Sequence, residues 1–283
     1  MEKNGLLSTK EKSKLSKEEW REYTKSVWAI ANVSHEVHPA MFPPEIPKRL
    51  IKLFSLYGET VFDPFCGVGT TGVAALQNGR RFIGCDINPR YVAIARKNLL
   101  KISRTGFDIR TQDCLNPTFV DRKSVNLIIT SPPYWNKADY GKSKKNLGSI
   151  SNYGQFLAKM KVAFEKCFDA LKPGRRMCVI TANVNQYTQD GLLTFPLAAD
   201  YISACRDLGF RLVNEIIWSK DGTGGKWGSF GKQRPIFGSY PYPPNFYFKN
   251  VHEYILIFRK PDGVLKNARV PTYDGLTAWS KSR

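Results

Sequence analysis

The sequence predicts an α/β fold, with a mostly parallel sheet covered by helices on both faces. Three observations predict it. Short apolar runs rich in β-branched residues, such as Val125-Asn126-Leu127-Ile128-Ile129, alternate with stretches of helical spacing. A glycine-rich turn stands between one such strand and the helix after it. The alternation runs from about residue 60 to residue 218, the pattern of successive βαβ units. A chain of 283 residues is enough for one large domain of this kind.

In order, residues 1–34 read as a basic N-terminal extension whose first 16 residues are a solvated tail. Ser16 is the candidate N-cap of a short helix, with Glu18 and Glu19 in its first turn and Trp20, Tyr23 and Trp28 in an irregular aromatic pattern. His35 to Pro44 is extended, held open by prolines. Ile46, Leu50, Ile51, Leu53 and Phe54 recur at helical spacing, and Tyr57-Gly58 ends that helix. Strands follow over 60–65, 81–86, 107–112 and 125–130, with helices over 70–77 and 89–102. Residues 136–150 are a polar loop carrying Lys137, Lys142, Lys144 and Lys145. A helix over 153–171, the turn Lys172-Pro173-Gly174, a strand over 177–181, a helix over 195–208 and a strand over 212–218 complete the alternation. Residues 220–250, rich in Gly, Pro, Lys and aromatics, form an insertion before a final strand over 254–258. No helical pattern separates these last two strands, so they form an antiparallel pair. The main domain therefore spans 35–219 and 251–262, with 263–283 as a C-terminal tail.

Charge narrows the partners. Lys+Arg total 43 against 24 Asp+Glu, a formal net charge of +19, which points to a polyanion such as nucleic acid or an anionic membrane surface. No apolar run approaches the roughly 20 residues that span a bilayer, and the lysine-rich start is not a secretory signal. Six cysteines without a C-x-x-C pair or histidines at metal spacing indicate a reduced, cytoplasmic protein with no metal. His35 and His38 lack further ligands nearby.

Two motifs carry the chemistry. The strand over 125–130 runs into Ser131-Pro132-Pro133-Tyr134, where two prolines end any ladder because neither has an N–H. This leaves the Ser131 hydroxyl, unladdered carbonyls and the Tyr134 ring at a strand's carboxyl end, the edge where open α/β sheets bind ligands. In the other motif, Gly67, Gly69 and Gly72 satisfy G-x-G-x-x-G, a spacing that fits a dinucleotide site as well as other cofactors. Asp63 precedes them, and a carboxylate at that strand end repels a pyrophosphate and attracts an ammonium group. Asp86 ends the next strand, where an acid can accept both hydroxyls of a ribose. A cationic adenosine cofactor bearing an amino acid fits both acids, which describes S-adenosylmethionine. Asp113 is a candidate for the adenine amine or a solvated loop acid.

At this point the chain resembles a known family. Phe62-Asp63-Pro64-Phe65-Cys66-Gly67-Val68-Gly69-Thr70-Thr71 resembles the D-P-F-x-G-x-G-T-T signature of the exocyclic-amino (N4-cytosine/N6-adenine) DNA methyltransferases. Ser131-Pro132-Pro133-Tyr134 resembles their catalytic [DNS]-P-P-[YFW] motif, and Arg80 to Tyr91 their second-strand motif. His38-Pro39-Ala40 through Ile51 is similar to the segment lining the methionine end of the cofactor, and Val251 to Phe258 to a late strand. The resemblance covers about residues 35–260. It implies a Rossmann-like, seven-stranded sheet with the last strand antiparallel. The cofactor is then S-adenosylmethionine, held by His38, Pro39, Asp63, Pro64, Phe65, Gly67, Gly69, Thr70, Thr71, Asp86, Ile87, Asp113 and Ser131.

In that setting the Ser131 hydroxyl and the Pro132 carbonyl accept the two hydrogens of an exocyclic base amine, and Tyr134 stacks on a flipped base, with Pro133 the remaining residue of the catalytic motif. Trp135 either stacks too or packs in the core. Direct transfer needs no cysteine nucleophile, so Cys66 is a packing residue. Serine in this motif is tied by the resemblance mainly to cytosine N4, with adenine N6 as the alternative. Double-stranded DNA is the implied partner, gripped at Lys142, Lys144 and Lys145 and read by residues 220–250 through Lys226, Lys232, Gln233 and Arg234. A restriction-modification setting, with a cognate endonuclease as candidate partner, comes from the resemblance alone. Three competitors stay open: an RNA guanine exocyclic-amine methyltransferase, a nicotinamide-dependent dehydrogenase, and a DNA-binding protein without catalysis.

Overall fold

Eight strands hydrogen-bond into one sheet in the computed structural model, which describes residues 12–32, 41–137, 145–220 and 250–262. The elements are α1 (Lys17–Tyr23), β1 (Val27–Ala29), α2 (Glu45–Phe54), β2 (Thr60–Asp63), α3 (Thr70–Gln77), β3 (Arg81–Asp86), α4 (Pro89–Leu100), β4 (Phe107–Thr111) and β5 (Val125–Thr130). There follow α5 (Tyr153–Ala170), β6 (Leu171–Thr181), β7 (Val184–Thr188), β8 (Gly191–Phe195), α6 (Leu197–Asp207), β9 (Arg211–Ser219) and β10 (His252–Arg259). The order across the sheet is β1-β9-β10-β6-β5-β2-β3-β4. β10 runs antiparallel to both β6 and β9, and the other pairs are parallel. The expected seven strands are present, and β1 adds an eighth at the edge.

Both faces of the sheet are covered, which is why its central strands are apolar throughout rather than alternating. Phe62 and Ile128 point into a core shared with α5 and α6, where Phe156, Phe164 and Tyr201 are fully buried. Val61, Leu127 and Ile129 point into the opposite core, against Leu50 of α2, Ala75 of α3 and Leu99 of α4. From β2 the chain steps outward to β3 and β4, then returns to the other side of β2 as β5. Strand order reverses between β2 and β5, and that reversal opens a crevice at their carboxyl ends.

Two regions depart from the expected organisation. The segment read as a basic extension with a solvated tail is built into the fold from Lys12 on: the Lys12 carbonyl accepts the Tyr57 amide at 2.8 Å, the Ser13 carbonyl accepts from Arg80 at 3.1 Å, Trp28 of β1 lies opposite Trp218 of β9, and the Trp218 indole donates to the Ile30 carbonyl over 2.8 Å. Trp28 is only 1% exposed, so this strand is held by tertiary burial that three residues of sequence cannot display. Ser16 does cap α1, accepting from the Glu19 amide at 3.1 Å while Glu19 accepts the Ser16 amide at 3.0 Å. Between β6 and α6 the chain forms a separate antiparallel hairpin, β7 with β8, that periodicity did not reveal. Lys172-Pro173-Gly174 lies within β6, where the β5 pairing slips from Val125–Leu171 to Leu127–Arg176 and absorbs the turn as a bulge. Among the described residues, no helix is long and apolar enough to cross a membrane.

Candidate active site

The carboxyl ends of β2, β3 and β5 converge on a cleft with about 780 Å³ of empty volume, partly open to solvent. Pro64, Phe65, Gly67 and Thr70 line it from the glycine loop, Asp86 and Ile87 from the end of β3, and Ser131 and Pro133 from the end of β5. Both motifs singled out in the sequence therefore face one cavity.

The glycine loop follows from its backbone. Gly67 and Gly69 take φ of +49° and +88°, a region that side-chain-bearing residues rarely enter. The Gly69 amide closes the turn on the Cys66 carbonyl at 2.8 Å. A Cβ on Gly72 would fall 2.6 Å from the Phe82 ring and 2.8 Å from Leu99, so the third glycine lets α3 lie against β3 and α4.

Asp63 sits behind this loop rather than in the cleft. Its carboxylate is 1% exposed and accepts from the Thr71 hydroxyl at 2.7 Å, the Thr130 hydroxyl at 2.8 Å and the Phe65 amide at 3.1 Å. Burial pushes it up to about 6, with these donors pulling the other way. Asp63 thus ties the two motifs together, its carboxylate holding Thr71 of α3, Thr130 of β5 and the Phe65 amide. Gly69 and Thr71 also lie behind the lining. Asp86 does reach the cleft: its Oδ2 accepts from the Gly67 amide at 3.0 Å and its Oδ1 from the Asn88 amide at 2.9 Å. Burial raises this carboxyl too, against those two bonds. Asp113 lies outside the lining, its Oδ1 accepting the Leu115 amide at 2.9 Å.

Around Ser131 the structure is ordered by neighbours. Pro132 and Pro133 are buried. Trp135 takes φ of +51° and turns into the core, where it donates to the Ile150 carbonyl at 2.8 Å and packs against Tyr153 and Phe195. Core packing is therefore its role. Tyr134 is half-buried, and its hydroxyl donates to Glu253 Oε2 at 2.6 Å while lying 3.3 Å from the Ser131 hydroxyl. Glu253 on β10 is in turn paired with Lys220.

Some lining residues escaped the sequence reading. Tyr91, Cys114, Asn146 and Leu147 face the cleft, beside Met41 and Phe42 of the segment that resembles the lining of the methionine end. So does Lys145, read from sequence as a DNA contact. Asn146 holds that wall in place, its side chain accepting the Gly148 amide at 2.9 Å. Lys137 is tied to the Asn185 carbonyl and to Gln186 of β7. His38, Pro39, Lys142, Lys144, Lys226, Lys232, Gln233 and Arg234 lie outside the described residues. All six cysteines are buried free thiols, and burial raises each of them, as suits packing residues.

Comparison with known proteins adds the following. The N6/N4 methyltransferase family model, described as DNA methylase, matches residues 2–97 and 125–280. The chain is 45% identical over 91 residues to the type II methyltransferase M.BglI of Bacillus subtilis, covering 31% of this chain and 26% of that one. It is 38% identical over 79 residues to the DNA adenine methyltransferase YhdJ of Escherichia coli K12, covering 26% and 27%. These matches thus span about a quarter of each relative's own length. A proposed DNA modification methylase from Thermus thermophilus, solved with S-adenosyl-L-methionine, is 33% identical over 57% of each chain, with a TM-score of 0.39. The [4+2]-cyclase SpnF superposes over 83% of this chain and 89% of its own with a TM-score of 0.53 at 15% identity, a likeness of fold alone.

Proposed function

We infer the function from one premise: the chain belongs to the N6/N4 DNA methylase family. We propose that it is a site-specific DNA methyltransferase that moves the methyl group of S-adenosylmethionine to the exocyclic N4 amine of a flipped cytosine. The observation that carries this reading is that Ser131 and Pro133 line the same cleft as Gly67 and Asp86.

The cleft suits that cofactor chemically. Phe42, Phe65 and Leu147 offer apolar surface for a purine, and Asp86 offers carboxylate oxygens for ribose hydroxyls. When bound, the cofactor supplies an electrophilic methyl group on a sulfonium. The chain's own residues do the rest. An exocyclic amine is a weak nucleophile because its lone pair is delocalised into the ring. Acceptors at Ser131 Oγ and the Pro132 carbonyl draw its hydrogens out of the ring plane and meet the charge that develops on nitrogen. Tyr134 presents its ring to the base, which must leave the duplex stack to reach the cleft.

The formal charge of +19 supports DNA as the substrate, with residues 220–250 proposed for sequence recognition and Lys142, Lys144 and Lys145 for phosphate contact. A restriction-modification role is part of the same proposal. The second reading is methylation of adenine N6, favoured by the similarity to the adenine methyltransferase of E. coli. Incubation of unmethylated DNA with labelled cofactor, followed by nucleoside mass spectrometry, tests both. N4-methyl-2′-deoxycytidine is expected, N6-methyl-2′-deoxyadenosine would overturn the base assignment, and no incorporation would overturn the activity. Ser131→Ala is expected to remove most turnover while cofactor binding survives.

A further inference from the structure

We propose that Glu253 is the end of a hydrogen-bond chain that makes Ser131 an acceptor for the target amine and takes the proton this amine releases. The inference rests on the methyltransferase reading above and holds for either base.

Glu253 is nearly buried, its side chain 13% exposed, and Lys220 pairs with its Oε1. The carboxylate oxygen Oε2 therefore faces Tyr134, and a carboxylate can only accept. The Tyr134 hydroxyl has one hydrogen and commits it to Oε2 over 2.6 Å. Its 3.3 Å contact with Ser131 must then run the other way, with the Ser131 hydroxyl donating to the tyrosine oxygen. Ser131 Oγ is left with lone pairs for the cleft. Without this ordering the serine proton is free to turn toward the amine nitrogen and occupy the lone pair that must attack. Glu253 acts through Tyr134 and does not itself line the cleft, so it is a positioning residue.

The same chain closes the proton balance. The bond from the amine nitrogen to the methyl carbon forms as the carbon–sulfur bond breaks, and that electron pair passes to sulfur. One amine proton moves to Ser131 Oγ, the serine proton to the Tyr134 oxygen, and the tyrosine proton to Glu253 Oε2. Ser131 and Tyr134 end neutral, and Glu253 ends as a carboxylic acid that later returns its proton to water.

The test is single-turnover methyl transfer to DNA by the full chain, beside cofactor binding by calorimetry and KM for DNA. Glu253→Gln keeps an acceptor for Tyr134 but cannot take its proton, and Tyr134→Phe keeps the ring but cuts the chain. Each is expected to slow transfer about 100-fold or more, the lower end of what one positioned proton transfer contributes, with KM and cofactor affinity within about twofold. The double variant should be no slower than the slower single one, as members of one chain are not additive. Wild-type rates in either variant, or losses that multiply in the double, would overturn the proposal. Should Glu253→Gln fail to bind cofactor, Tyr134→Phe decides alone. If the wild-type chain transfers no label to DNA, the methyltransferase reading falls and this one with it. Wild-type transfer beside an unimpaired Glu253→Gln sinks the chain of bonds only.

Discussion

Thr130 donates its hydroxyl to Asp63 Oδ1 across 2.8 Å, fastening the last residue of β5 to the last residue of β2 before either strand releases its loop. The hydrogen bond joins the two motifs directly, so the distance from Gly67 to Ser131 is set by buried groups rather than by the loops themselves. Thr130→Val keeps the shape and removes the donor. With Thr130 fully buried and its partner a carboxylate, the expected loss is about 1.5–3 kcal/mol. Urea unfolding measures it, and calorimetry should show weaker cofactor binding in the same variant. Unchanged stability would mean that Thr71 and the Phe65 amide suffice to hold Asp63.

Asp63 also gives the protein a pH signature. Its carboxyl is raised to about 6 by burial, well above the value it takes in an unfolded chain. The folded state therefore binds this proton more tightly than the unfolded state does. The resulting stability is fully present below about pH 4 and is lost as pH rises through about 6. The size is bounded at about 3 kcal/mol by the shift of roughly two units. Asp86 is raised as well and adds in the same direction. Asp63→Asn should flatten unfolding free energy across that window. A variant with the wild-type slope would show that Asp63 does not carry it.

The third glycine of the motif is a packing residue, and its replacement separates packing from ligand contact. In Gly72→Ala the new methyl falls 2.6 Å from the Phe82 ring and 2.8 Å from Leu99, closer than real contacts allow. Strand β3 and helix α4 must yield, at a cost of about 1–3 kcal/mol. Gly72 does not line the cleft, so any loss of cofactor affinity should track the loss of stability. A large affinity loss in a variant that melts normally would place Gly72 in contact with the ligand.

What the sequence displayed and what it concealed divide along physical lines. β2 and β5 were legible because both their faces are buried, which writes a continuous apolar run into few residues. β1 was not, because the burial of Trp28 depends on a strand that follows some 190 residues later. The β7–β8 hairpin hides for the opposite reason. Tyr187 is 67% exposed and little of the hairpin meets the core, so no alternation marks it. Only Asp190-Gly191, with Gly191 at φ +96°, carried a turn signal. At the site, residue types located Ser131 and Asp86, but the direction of a hydrogen bond is tertiary information. The two threonine hydroxyls on Asp63 come from α3 and β5, a convergence that the local sequence around Asp63 does not display. Glu253 looked like one residue of a strand, and its contact with Tyr134 spans 119 positions.

Tyr134 and Trp135 are adjacent aromatics with opposite duties, and paired variants should separate them. Trp135 is 5% exposed, donates to the Ile150 carbonyl and packs within 4.8 Å of Phe195 and 5.0 Å of Tyr153, ring centre to ring centre. Trp135→Phe keeps an aromatic ring there but leaves that carbonyl without its donor and opens space beside Phe195. A loss of about 2–4 kcal/mol follows from the missing bond and the smaller ring together. Tyr134→Phe removes a hydroxyl that donates to the Glu253 carboxylate, which keeps its Lys220 partner, so its stability should fall by no more than about 1.5–3 kcal/mol while transfer slows. Thermal unfolding and single-turnover rates measured on both variants give the comparison. If Trp135→Phe melts normally yet cannot bind DNA, its ring meets the base, and the division of labour between the two residues is reversed.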